Sequence, residues 1–109
     1  SGGETQRLKL ATELIKETGS SCLYIFDEPS TGLHMKDVEK LIEVTNKLVD
    51  GGNTVIVVEH NLEIIRASDW IIELGPEGGE RGGGIIYAGN FDGLINCNRS
   101  YTSKAINNL

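Results

Sequence analysis

A short, uncharged run followed at once by two acids constrains this chain most. Residues 22–26 read Cys-Leu-Tyr-Ile-Phe, and Asp27 and Glu28 come directly after them. A continuous apolar run of this length is typical of a strand buried on both faces of a parallel sheet. Residues 54–58 form a second such run, rich in β-branched side chains. The sequence therefore predicts an α/β fold with strands and helices in alternation.

Helical spacing fills the stretches around these runs. Apolar residues recur on one face between 35 and 50, which predicts an amphipathic helix that ends at Gly51 and Gly52. We expect an antiparallel edge hairpin near the glycine loop and a tail, 96–109, that is partly ordered at best. The other predicted elements are a helix over 1–18 with Ser1 and Glu4 as a capping box, a helix over 62–67, strands over 70–74 and 85–88, a loop over 75–84, and a turn or short helix from Asn90.

Composition limits the classes of function. The 109 residues suffice for one small domain, and a hydrophobic share of 39% is that of a folded protein. A net charge of -6 argues against this surface alone binding nucleic acid or a membrane. Cys22 and Cys97 form no CxxC pair, so a structural zinc site or a disulfide framework is not expected. We expect a cytoplasmic protein with reduced thiols and no membrane partner.

The acid pair is the strongest candidate for chemistry. Open α/β sheets bind ligands at the carboxyl ends of their strands, where Asp27 and Glu28 stand. The first acid can hold Mg²⁺, which prefers oxygen ligands, and the second can orient and deprotonate an attacking water. An isolated Asp-Glu pair would more often be a solvated acidic turn. The surrounding motifs reverse that balance.

Two other segments complete the pattern. Ser1, Gly2 and Gly3 would start a helix whose free amides favour an anion, although a plain capped helix start uses the same residues. His60 follows the second apolar run, where an imidazole could sense a terminal phosphate, although a lone loop histidine is more often a surface residue. Little in the sequence assigns Glu59 to water or metal, and His34 is expected to be structural.

The order of these segments resembles that of the UvrA proteins, the A subunits of bacterial excinuclease ABC. The resemblance covers essentially the whole chain, and its ending resembles that of their second ATPase module. Residues 1–11 resemble the family's signature segment, 24–34 its Walker B strand and the loop after it, 53–62 its switch segment, 69–84 its most distinctive glycine-rich stretch, and 100–102 its usual ending.

The resemblance implies a partial P-loop NTPase fold of the ABC ATPase type, with a mostly parallel sheet, flanking helices and the antiparallel edge hairpin. It implies that 1–95 is the C-terminal part of an ABC ATPase domain and 96–109 a tail. The residue roles that it implies are catalysis by Glu28 and His60, magnesium binding by Asp27, and nucleotide binding by Ser1, Gly2, Gly3, Thr31 and Gly32.

The same resemblance implies a role for a longer parent protein. That protein would be a DNA-binding ATPase that detects lesions in nucleotide excision repair, within the SOS response, and loads UvrB. It would use ATP and Mg²⁺, pair this module with a second ABC module, form a homodimer, and hold zinc only in parts absent from this chain. No Gly-Lys dipeptide occurs in the sequence, so no P-loop is recognised. The chain alone is therefore expected neither to bind nor to hydrolyse ATP.

Three alternatives stay open. The first is a UvrA-like paralogue linked to drug or toxin resistance, which differs upstream of this segment. The second is the ATPase of a membrane transporter, against which Gly32-Leu33-His34 and the stretch 70–84 count. The third is a stand-alone binding module that uses only the signature face.

Overall fold

The structure is a computed structural model that describes residues 21–75 and 83–108. The predicted helix over 1–18 and most of the glycine loop lie outside the described residues. The chain divides into two compact units between Ile64 and Ile65. The elements in chain order are β1 (Leu23–Asp27), α1 (Met35–Asp50), β2 (Thr54–Val58), α2 (Leu62–Ala67), β3 (Ile71–Leu74), β4 (Ile85–Gly89), α3 (Phe91–Ile95) and α4 (Tyr101–Asn107).

The first unit is built on a parallel pair of strands. β1 pairs with β2 so that Leu23 lies opposite Thr54 and Asp27 lies opposite Val58. The amide of Glu28 extends the ladder, because it donates to the carbonyl of Val58 at 2.8 Å. A parallel pair places both carboxyl ends at one edge. The α/β fold class and the parallel pairing predicted from the two apolar runs are therefore confirmed.

One face of this sheet carries the core. α1 packs against β2, and Val38, Leu41 and Ile64 are buried together with half-buried Val57 beside them. Burial of these side chains supplies most of the local stabilisation, at about 25 cal/mol per Å² of apolar surface. The helix bounds match the prediction because the apolar spacing of 35–50 is itself the packing face.

Within residues 21–75 and 83–108, no element covers the other face of the sheet, so the predicted burial of the strands on both faces is not met by the described residues. Burial alternates along β1 and β2, and Leu23, Ile25 and Val58 are 59%, 65% and 53% exposed. A continuous apolar run indicates that other elements can pack against the strand on both faces of the sheet. It does not show that both layers are present, and among the described residues the helices cover one face.

A buried asparagine joins α1 to both strands. Asn53 is 7% exposed. Its Oδ1 accepts from the amide of Cys22 at 2.9 Å, and its Nδ2 donates to the carbonyl of Leu48 at 2.8 Å. The turn before it requires glycine, since Gly52 has a φ of 94°. The end of α1 and the starts of β1 and β2 are thus fixed by one side chain.

The second unit contains the predicted antiparallel hairpin. β3 pairs with β4, with Ile71 opposite Gly89 and Glu73 opposite Tyr87, and the register is irregular between Glu73 and Leu74. The described strands form two separate two-stranded sheets, one parallel and one antiparallel. The expectation of a single, mostly parallel sheet is therefore not met by the described residues.

The tail is better ordered than the sequence suggests, and α4 forms within it. Glu73 supplies the reason. Its Oε1 accepts from the hydroxyl of Ser100 at 2.6 Å, and its Oε2 accepts from the amide of Tyr101 at 2.9 Å. The amide of Thr102 also donates to Oε1, at 3.3 Å. A carboxylate on β3 thereby satisfies amides at the start of α4 that helix geometry leaves without partners.

The same contacts set the charge state of Glu73. Partial burial raises the pKa of its carboxyl, but hydrogen bonds from Ser100, Thr102 and Tyr101 outweigh burial and hold the pKa below its usual value. The carboxylate form is thus the form that caps α4.

The predicted boundary between an ATPase part, 1–95, and a tail, 96–109, remains a prediction.

Replacing Asn53 with alanine should lower the free energy of unfolding by about 2 kcal/mol, because buried backbone groups lose their side-chain partner. Urea unfolding of the chain measures this change. Asn46, exposed on α1, provides the matched control, and Asn46→Ala should change stability by less than about 0.5 kcal/mol. Equal losses for the two variants would contradict the role assigned to Asn53.

Replacing Glu73 with glutamine should loosen α4 at neutral pH. Because the folded-state pKa is lowered, the stabilisation by Glu73 is fully present above its ordinary pKa of about 4.3 and is lost as the pH falls through the folded value. Urea unfolding at a series of pH values should show wild type more stable than Glu73→Gln at pH 7 and the gap closing in acid. Glu39→Gln, at an exposed position of α1, should show no such gap. A gap that does not change with pH would contradict the assignment.

Candidate active site

The chain leaves β1 through a strained turn at Glu28. This residue has a φ of 47°, a left-handed conformation that is uncommon for residues other than glycine. Its carbonyl accepts from the amide and the hydroxyl of Thr31, at 3.2 and 3.0 Å. Gly32 follows with a φ of 79°, which its lack of a side chain permits. Such conformations cost about 1–3 kcal/mol and cluster at functional sites.

The end of β2 brings a second predicted residue to the same place. His60 Nδ1 lies 3.4 Å from Glu28 Oε1, and both side chains are largely exposed. An exposed pair of this kind contributes little to stability. The value of the contact is positional: it shows that two side chains far apart in sequence face each other at the carboxyl edge of the parallel strands.

Glu59 ties the two strand ends together, and this role was not predicted. Its Oε1 accepts from the hydroxyl and the amide of Ser30, at 2.5 and 3.0 Å. Its Oε2 accepts from the amides of His60 and Asn61, both at 3.0 Å. A carboxylate has about four acceptor positions, and these four donors occupy them. The suggestion that Glu59 contacts water or metal gains no support from this geometry.

The charge state of Glu59 follows from these contacts. Partial burial raises the pKa of its carboxyl. Hydrogen bonds from Ser30, Asn61 and His60 together lower the pKa by more than burial raises it, so the pKa lies below its usual value. Four donors require an acceptor on each oxygen, which only the ionised form offers in full. The carboxylate is the functional form of this side chain at neutral pH.

Asn61 holds the end of the loop between β2 and α2 that leads into the helix. Its Oδ1 accepts from the amides of Glu63 and Ile64, at 3.0 and 3.2 Å, so it acts as the N-cap of α2. Asparagine is a common N-cap residue, so this role was readable from its position just before the predicted helix. His34 precedes α1 without a side-chain cap hydrogen bond, and its assignment as structural stays a prediction.

The remaining site predictions are placed as follows. Asp27 lies exposed at the end of β1 beside Glu28, while Thr31 and Gly32 form the turn after it. Within 21–75 and 83–108, no group of three or more histidines, cysteines or acids could by itself hold a metal ion. Ser1, Gly2 and Gly3 lie outside the described residues, so their assignment to a phosphate remains a prediction.

In the described part of the chain, no helix is long and apolar enough to cross a membrane.

Comparison with known proteins gives one consistent result. No family model matches the chain. It is 58% identical over 104 residues to UvrABC system protein A from Aquifex aeolicus, and the matched segment covers 95% of this chain and 11% of that protein. It is 52% identical over 109 residues to UvrABC system protein A from Mesorhizobium japonicum, which covers 100% of this chain and 11% of that protein.

Among solved structures, the crystal structure of UvrA2 from Deinococcus radiodurans superposes with a TM-score of 0.81 at 45% identity. The match covers 97% of this chain and 13% of that one. The chain thus spans only about a tenth of the length of the relatives that it matches.

Proposed function

Because this chain is similar to UvrA along its whole length, the resemblance is confirmed, and we propose that it forms half of an ATP-hydrolysing site in a nucleotide excision repair protein. One observation carries the proposal. Glu28 and His60 meet, with 3.4 Å between carboxylate and imidazole, at the carboxyl edge of a parallel strand pair. Open α/β sheets bind their ligands at this edge.

The proposed chemistry divides between these residues. Glu28 orients a water molecule and accepts its proton as the water oxygen bonds to the terminal phosphorus and the bridging oxygen leaves with the diphosphate. His60 donates a hydrogen bond to an oxygen of the transferred phosphoryl group. Both side chains are exposed at the sheet edge, where a substrate can reach them.

Magnesium fits the donor set at this edge. Mg²⁺ usually takes one or two protein carboxylates together with substrate phosphates and water, and Asp27 offers one exposed carboxylate. When bound, the ion would neutralise charge on the phosphates. Glu59 is not part of this set, because protein donors occupy both of its oxygens.

The rest of the proposed site lies in other segments. We propose that Ser1, Gly2 and Gly3 contact the nucleotide of a second ABC module, and that Thr31 and Gly32 lie beside the nucleotide near Glu28. The names of the relatives place them in a UvrABC system, which supports DNA and UvrB as partners of a longer protein. The net charge of -6 indicates that other segments would contact DNA. A homodimer, a P-loop NTPase fold and a cytoplasmic location belong to the same proposal.

A second candidate is a UvrA-like paralogue. The solved structure that matches is named UvrA2, at 45% identity, whereas the relatives named UvrABC system protein A reach 52–58%. The higher identity favours the excision repair protein. A transporter ATPase gains no support from these relatives.

A chimaera tests the proposed site. This chain replaces the matching segment of UvrABC system protein A from Aquifex aeolicus, and ATP hydrolysis is measured for the chimaera and its variants, all of which carry glutamine in place of the corresponding acid of the second ABC module. Glu28→Gln should lower kcat by a factor of about 10² or more, because a general base contributes roughly 10²–10⁴. Glu39→Gln makes the same charge change at an exposed position on α1 and should leave kcat unchanged. An active Glu28→Gln chimaera would refute the proposed function.

The chain by itself should not bind ATP, because the phosphate-binding lysine and amides of a P-loop are not recognised in it. Calorimetric titration of Mg-ATP into the purified chain measures this directly. Absence of heat under conditions where the chimaera binds ATP supports a shared site. Tight binding by the chain would show a phosphate site that the sequence did not reveal.

A further inference from the structure

We propose that Glu59 is a positioning residue that holds His60 against Glu28 by joining the loops that follow β1 and β2. The inference rests on the proposed function, since it concerns the same site. It assigns work to a side chain that neither faces the substrate edge with a free oxygen nor forms part of the Glu28–His60 pair.

The hydrogen bonds of Glu59 divide evenly between the two loops. Oε1 receives both donors of Ser30, which lies in the turn after β1. Oε2 receives the amides of His60 and Asn61, which lie after β2. The two loops are 29 residues apart in sequence, so this carboxylate adds a side-chain link between them beyond the strand pairing.

The link acts on the reacting pair from both sides. The turn held through Ser30 is the one that begins at strained Glu28, whose carbonyl is bonded by Thr31. The backbone amide held by Oε2 belongs to His60 itself. Both side chains of the pair are exposed and have little packing of their own to fix them. Their separation of 3.4 Å therefore depends on the backbone that Glu59 holds.

Glutamine cannot replace glutamate here, although it has the same shape. One oxygen would become an NH₂ group, which donates and does not accept. Turned one way, the NH₂ group would face the amides of His60 and Asn61; turned the other way, it would face the amide of Ser30, whose hydroxyl could accept from it. Glu59→Gln is therefore a sharp test, because it changes hydrogen bonding with little change in volume.

The kinetic test uses the chimaera described above. Glu59→Gln should lower kcat about tenfold to a hundredfold, the range expected for a small misplacement of reacting groups, with KM for ATP within about twofold of wild type. Glu63→Gln is the matched control. Glu63 is exposed on α2, no hydrogen bond of its carboxylate is found within the described residues, and its replacement should change neither constant.

A double variant separates positioning from general destabilisation. If Glu59 holds His60 against Glu28, then Glu59→Gln should lower kcat by a clearly smaller factor, about threefold, in a His60→Ala chimaera, because only the turn at Glu28 is then left to be misplaced. A merely structural role would cost the same factor in both backgrounds. Equal factors, or an unchanged kcat for Glu59→Gln while Glu28→Gln is inactive, would overturn the positioning role. Activity in Glu28→Gln would instead refute the proposed function.

Ser30→Ala keeps the test decisive where Glu59→Gln does not fold. It removes the 2.5 Å hydrogen bond from the Ser30 hydroxyl to Glu59 Oε1 and keeps the hydrogen bond from the Ser30 backbone amide to the same oxygen. We expect a smaller loss of kcat, roughly threefold to tenfold, again with little change in KM. A Ser30→Ala chimaera that folds with wild-type kcat would count against the link.

Discussion

The parallel pairing of β1 with β2 is the interaction on which the rest of the site depends. Only a parallel pair brings the two carboxyl ends to one edge, and the register continues through the bond from the Glu28 amide to Val58. Asn53 fixes the opposite ends of the strands. With both ends held, the loops after the strands can differ in conformation while their side chains still meet.

At the carboxyl edge of these strands, hydrogen bonds hold a backbone conformation that is unfavourable by itself. The left-handed conformation of Glu28 is unfavourable by itself, and the bonds around Thr31 and Ser30 retain it. Glu59 and Glu73 are used in the same manner, each as an ionised acceptor for backbone amides that no strand or helix satisfies. Such charge-assisted bonds are about twice as strong as neutral ones.

The sequence predicted what depends on neighbours within one element. The bounds of α1, β2 and α2 follow from apolar spacing and from β-branched runs. Glu28 and His60 were singled out by their places after the two strands, but their contact was not predicted. Burial on one face of the sheet, the cap of α4 by Glu73 and the link through Glu59 were not predictable. The two carboxylate contacts join residues 27 or more positions apart, which no local pattern encodes, and exposure of one sheet face depends on which other elements pack there.

The separation of the paired strands also bears on the order in which the chain acquires its structure. Leu23 pairs with Thr54, so β1 and β2 meet by closing a loop that contains the whole of α1. The antiparallel hairpin closes a shorter loop, from Ile71 to Gly89. Non-local pairing is slow because the entropy of loop closure is lost before contacts compensate for it. We therefore expect the residues proposed for catalysis to reach their places later than the hairpin forms.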